Sequence, residues 1–180
     1  MQISISNSIN GEFNDEDLST MKMGVYDYND LNTQTTPISL VGGEGYVRVT
    51  NDGLGAFTNK DYALTGVPDI YNTASDTFDF TDLSLGDTVD FRLELGVTTT
   101  TTNTEFDVIL RMAVGGLSYD LEFETEKNYK VARVHRLNRW NGMYIGDANT
   151  LNNGAYFMIK SDKGCTILVG GWYARVITRI

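Results

Sequence analysis

FDFTDLSLGDTVDFRLELGVTTTTTNTEFDVILRM, running from Phe78 to Met112, decides the fold class. In its first half Val89, Phe91, Leu93, Leu95 and Val97 alternate with Asp90, Arg92, Glu94 and Gly96. A period of two marks a strand with one dry face and one wet face. In the second half Phe106, Val108, Leu110 and Met112 share a face, and Asp107, Ile109 and Arg111 share the other. Ile109 breaks the polarity of that outer face, so a neighbouring chain or loop is expected to cover it, and Ile109 is a candidate subunit contact. Gly86-Asp87 punctuates the start of the first run. Gly115-Gly116 closes the second and opens a third alternating run, Leu117, Tyr119, Leu121 and Phe123. Three such runs separated by turn residues read as antiparallel meander or Greek-key strands. Ten residues at about 3.3 Å each span roughly 33 Å, long enough to form the body of a sandwich. Thr98 to Thr102 between the first two runs form a candidate exposed tip.

On the N-terminal side the β signal begins at Pro37. Pro37 to Val41 and Gly45 to Thr50 read as strands, with Gly42-Gly43 between them and the turn signal Asn51-Asp52-Gly53 after them. Leu54 to Thr58, Asp69 to Asn72 and Thr77 to Phe80 are shorter candidates, and residues 59–70 form a longer connection. Phe80 to Asp87 reads as a compact turn in which Gly86 supplies a positive φ and the leucines seal one end of the core. Residues 1–36 read as an N-terminal arm or irregular layer that packs on a neighbour. Within it Gln2 to Ser6 is a short strand candidate and Asp17 to Met23 one helical turn. Asn14 to Asp17 lacks the spaced oxygen ligands of a known calcium loop.

On the C-terminal side residues 129–140 are ambiguous. Val131, Val134 and Leu137 stand three apart, but flanking strands and the lack of a capped periodic run favour a strand. Met143 to Gly146, Ala155 to Ile159, Cys165 to Val169 and Trp172 to Ile180 complete the set, with Asp147 to Gly154 as a loop and turns at Ser161 to Gly164 and Gly170-Gly171. About ten strands without a long helix predict an all-β chain, an antiparallel β-sandwich or barrel. Length and strand count favour a jelly roll over an immunoglobulin-type domain. The expected organisation is an arm at 1–36 and one jelly-roll domain at 37–180.

A chain of 180 residues buries enough surface to need no metal or disulfide. Cys165 is the only cysteine, and it reads as a small buried strand residue. MQISISNSIN has neither the basic start nor the apolar core of a signal peptide, and no apolar run reaches the ~20 residues of a membrane span. The net charge of −10 argues against nucleic acid and anionic membrane as partners. Residues 1–90 carry 15 acidic and 3 basic side chains, whereas residues 91–180 carry 9 and 11. Lys127, Lys130, Arg133, Arg136 and Arg139 form a basic run, which reads as a docking patch for an acidic surface or as a solvated face.

No catalytic constellation emerges. His135 is the single histidine and lies inside the basic run, no G-x-S-x-G elbow is present, and a zinc site needs more His and Cys than the chain holds. The expectation is no enzyme and no cofactor. Trp140, Tyr144, Trp172 and Tyr173 fall near turns or strand ends. Exposed, such rings anchor a subunit interface or stack on sugars; buried, they are core.

Three phrases carry a resemblance: Phe78 to Arg92, then Met143-Tyr144-Ile145-Gly146-Asp147-Ala148-Asn149, and the closing Gly170-Gly171-Trp172-Tyr173. They resemble structural proteins of tailed bacteriophages that carry a TNF-like jelly roll and assemble as trimers, over roughly residues 37–180. The resemblance implies a virion component, assembled in the host cytoplasm: a capsid decoration (cement) protein, a head fibre or a tail-fibre tip. No long N-terminal shaft or collagen-like repeat is present, which favours decoration of the capsid exterior. The implied partners are two further copies of the chain and the major capsid protein or another virion protein. Ile109, Trp140, Tyr144, Trp172 and Tyr173 are the candidate interface residues.

Overall fold

The structure, a computed structural model, describes residues 21–29, 37–50, 56–128 and 134–179. Twelve strands are described: β1 (Met21–Asn29), β2 (Ile38–Leu40), β3 (Val47–Arg48), β4 (Ala56–Asn59), β5 (Tyr71–Asn72), β6 (Thr77–Phe78), β7 (Thr88–Thr99), β8 (Thr104–Met112), β9 (Tyr119–Asn128), β10 (Val134–Tyr144), β11 (Ala155–Ser161) and β12 (Cys165–Arg179). One five-residue helix, α1 (Ala148–Asn152), precedes β11. The strands form two antiparallel sheets. The first runs β10-β7-β12-β1-β4, with β2 beside the start of β12; the second runs β5-β6-β11-β8-β9, with β3 beside β11. From β7 onward the chain crosses between sheets at β7–β8, β9–β10, β10–β11 and β11–β12, and only β8–β9 is a hairpin within one sheet. The chain is an antiparallel jelly-roll β-sandwich, as the alternation predicts.

The alternating runs are the sheet bodies. Every second residue of β7 from Val89 to Thr99 is buried. Phe106, Val108, Leu110 and Met112 of β8 face them across the core. An aromatic cluster fills the centre. Phe157 stands near-perpendicular to Phe78, Phe91 and Phe123 at centroid distances of 5.6, 6.0 and 5.0 Å. Trp172 stacks on Tyr28 at 5.4 Å. These edge-to-face contacts suit the ring quadrupoles and add to the burial of large apolar surface.

Several expectations are corrected. The sandwich does not begin at 37. β1 lies inside the first sheet between β12 and β4, with Tyr26 and Tyr28 fully buried, so Met21 to Asn29 belongs to the domain rather than to an arm. Asp27 between its tyrosines and Asn29 after them disguised the period. Met21 to Met23 is strand, not helical turn; residues 1–20 and 30–36, with the Gln2 to Ser6 strand and the Asn14 to Asp17 loop, lie outside the described residues, as do Asn51 to Gly53. Met143-Tyr144 is no separate strand, because β10 runs unbroken through Gly142. Asp147 to Gly154 is not all loop: Asp147 caps α1 by accepting the Thr150 N–H at 2.7 Å. Gly170-Gly171 does not end a strand but forms a bulge within β12 opposite Leu95 and Glu94.

The strand preference for 129–140 holds over Val134 to Trp140, while residues 129–133 are outside the described set. In the turn at Phe80 to Asp87, Gly86 has φ +93° as expected. Leu83 is buried there, but Leu85 is exposed. Thr100 to Asn103 form an exposed connection. It is pinned by Lys163, whose Nζ donates to Thr102 O at 2.8 Å and Asn103 O at 2.9 Å.

Candidate functional site

The first sheet turns one face to the core and the other outward. Residues paired across neighbouring antiparallel strands share a face, so the register fixes the outward rows. Met23, Ile177, Thr88 and Tyr144 form one row, Val25, Arg175, Asp90 and Gly142 the next, and Asp27, Tyr173, Arg92 and Trp140 the third. Met23 is 60% exposed, Tyr144 67% and Trp140 51%. Three exposed large apolar side chains thus share one sheet face beside charged ones, which makes it a candidate contact surface.

Geometry divides the face into two parts. In the first row Met23 and Tyr144 flank Ile177 and Thr88, with Val25 next to them. The Tyr144 ring lies over Gly146, where a Cβ would stand 2.8 Å from Cε2. In the third row the Arg92 guanidinium carbon sits 5.7 Å from the Trp140 ring centre and 5.2 Å from that of Tyr173. Those two rings meet edge to face at 5.1 Å. A cation held against aromatic faces fixes all three side chains.

Between these rows lies an open depression of about 410 Å³ lined by Asp90, Trp140, Asn141, Gly142 and Arg175. Arg175 donates to Asp90 Oδ2 from Nε at 2.9 Å and also from Nη2. Gly142 floors the depression: a Cβ there would lie 2.6 Å from Asp90 Oδ1. Asn141 turns the other way, its Nδ2 donating to Glu122 O at 3.0 Å.

The candidate residues named from sequence therefore separate. Trp140, Tyr144 and Tyr173 share the outward face of the first sheet. Trp172 points inward and is 3% exposed, a core residue. Ile109 does face outward, on the second sheet, but is only 5% exposed. It shares a row with Met158, between the long side chains of Arg48 and Glu122. Being almost fully buried within the chain, it offers a partner little surface. Sequence alternation placed Ile109 on the right side of its strand but carried no information about its neighbours in the row. It missed Met23 and Val25 because β1 was not read as part of the sheet, and Ile177 because its row is completed by Met23 of that strand.

Several charged groups elsewhere are paired at the surface. In the basic run Arg136 is exposed and meets Glu94 at 3.2 Å; Lys130 and Arg133, and the side chains of His135 and Arg139, are outside the described set. Arg111 and Asp120 form a two-pronged pair at 2.8 and 2.9 Å. The Arg111 hydrogen bond holds the Asp120 carboxyl below its ordinary range. Asp107 and Tyr46 raise Lys160 by hydrogen bonding. Burial pushes the Cys165 thiol up, the opposite of nucleophile activation. Among the described residues no group of three or more His, Cys, Asp or Glu side chains is placed to hold a metal ion. No described helix is long and apolar enough to cross a membrane.

No protein-family model matches this chain, and no curated protein matches it. Three solved structures are similar in outline. A tumour necrosis factor, Eiger, from S. frugiperda is 7% identical, with 89% of this chain and 93% of that one covered and a TM-score of 0.42. The cowpea mosaic virus empty virus-like particle is 14% identical, with 97% and 85% covered and a TM-score of 0.32. The CBM22-1–GH10 modules of Clostridium thermocellum xylanase 10B, complexed with xylohexaose, are 11% identical, with a TM-score of 0.39. There 88% of this chain is covered, and the chain spans 28% of the xylanase chain.

Proposed function

We propose that this chain is a non-enzymatic structural protein of a virion that associates with further copies of itself. The finer reading is a homotrimeric capsid decoration protein that adds contact area between shell subunits. The observation that carries self-association is the outward row Met23, Ile177, Thr88 and Tyr144 with Val25 beside it, apolar surface on the rigid body of a sheet. Burying it against another copy removes apolar area from water, at about 25 cal/mol per Å². The virion assignment rests on the three phrases that resemble phage structural proteins. The acidic N-terminal half is the candidate shell-facing surface.

Two measurements test this reading. Light scattering on the full chain is expected to give a trimer that dissociates in a Met23→Lys/Tyr144→Glu double variant; a monomer at micromolar concentration rejects self-association. Shells assembled with and without the protein are expected to differ in survival of heat and osmotic shock; equal survival rejects the cement role.

A further inference from the structure

We propose that the depression beside Trp140 is a subsite for a neutral pyranose ring of a glycan. Its volume of about 410 Å³ falls within the roughly 300–1,000 Å³ usual for small-molecule sites. A pyranose has an apolar C–H face and an edge of hydroxyls, and the depression offers a counterpart for each. Trp140 supplies the platform. It is half exposed, and its orientation is set by Arg92 and by the edge contact with Tyr173, so little freedom is lost when a ring stacks on it. Asp90 and Arg175 supply the polar edge. Both bonds of their pair run to Asp90 Oδ2. Oδ1, leaning over Gly142, and the Nη1 group of Arg175 take no part in it. One hydroxyl of a vicinal pair can donate to Oδ1 while its neighbour accepts from Nη1. Gly142 makes the room, since any side chain there would collide with Asp90 Oδ1.

The charge of the floor selects the ligand class. Asp90 and Arg175 cancel, and the chain carries −10 overall, which disfavours polyanionic glycans. A purely apolar side chain from a second copy would bury the carboxylate and guanidinium edges without bonding them, which is costly. The apolar row that carries self-association lies two rows from Trp140, with the row of Asp90 and Arg175 between them, so sugar binding and oligomeric state are measured separately.

Saturation-transfer NMR on the full wild-type chain with lactose, cellobiose, N-acetylglucosamine and rhamnose tests the site. Transfer to ring protons of at least one sugar is expected. Trp140→Ala and Asp90→Asn should each weaken binding at least about tenfold, the effect of losing roughly 1.4 kcal/mol. Leu117→Ser, at an exposed turn elsewhere, should leave it unchanged. Circular dichroism establishes that each variant is folded. Transfer to none of the sugars, or binding that survives both groove variants, overturns the proposal. So does a Trp140→Ala variant whose only effect is a change in oligomeric mass, which would make the depression a contact between copies. Light scattering on wild type judges self-association separately, so either reading can fail without the other.

Discussion

The Tyr26 hydroxyl donates to the carbonyl oxygen of Val67 at 2.7 Å, inside the core. The Tyr26 hydroxyl oxygen in turn accepts the Leu64 N–H at 3.2 Å. One phenol thus satisfies two backbone groups of the connection between β4 and β5. Gly24 on the same strand lets that connection approach closely, since a Cβ there would stand 2.7 Å from Leu64 Cγ. Burial keeps Tyr26 protonated by raising its pKa. Tyr26→Phe preserves the ring but strands a buried donor and a buried acceptor. The expected cost is about 1–3 kcal/mol, read as a lower urea midpoint with unchanged slope. A variant as stable as wild type would show that water or another group replaces the hydroxyl.

Phe157 is where the core is most sensitive. Its ring touches Phe78, Phe91, Phe123 and Trp172, drawn from both sheets and from an early and a late part of the chain. Phe157→Ala removes that hub and leaves a cavity, at an expected cost of about 3–5 kcal/mol. Since a domain of this kind has about 5–15 kcal/mol in total, the variant should melt far below wild type. By contrast Leu85→Ala, at an exposed turn position, should shift stability by less than about 0.5 kcal/mol. If the two variants melt alike, Phe157 is not a hub of the core.

Acid sensitivity has two identified sources. The Thr150 N–H, donating to the Asp147 side chain, holds that carboxyl below its ordinary value of 3.8. Arg111 does the same for Asp120. For a carboxyl whose folded pKa is depressed, the unfolded chain takes up protons first. The stabilisation is therefore present above about pH 3.8 and is lost as pH falls further, through the lower folded values. Asp147→Asn keeps a good capping residue that does not titrate. Urea unfolding between pH 2 and 7 should show near-equal stability at neutral pH and a shallower acid limb for the variant. An identical acid limb would remove Asp147 from the account.

Much of the fold was legible because the long strands of the sandwich body write their burial into the chain with period two. Five of the six buried positions of β7, Val89 to Val97, stand in the alternation itself; the sixth, Thr99, lies among the threonines read as an exposed tip and is buried at the strand end instead. The positive φ of Gly86 was legible because only glycine adopts it without strain. β1 was not legible. Its two core tyrosines sit among Asp, Asn and Lys, and a polar strand declares itself only through the partners that flank it. Helix α1 was missed because five residues are too few for periodicity. Its cap, an Asp three before a Thr, was the available signal.

The candidate site divides along the same line. Sequence alone determined that the chain alternates, that it is acidic, and that Trp140, Tyr144, Trp172 and Tyr173 are rings near strand ends, because these are local properties of spacing and composition. Tertiary structure decided that Trp172 belongs to the core while Tyr173, one residue on, meets Trp140 on the outside. It also decided that Ile109 is buried within its own chain, and that Asp90, Gly142 and Arg175 form one floor. Those facts depend on which strands lie side by side and in what register, and register is set by pairing between residues as far apart in the chain as Met21 and Arg179.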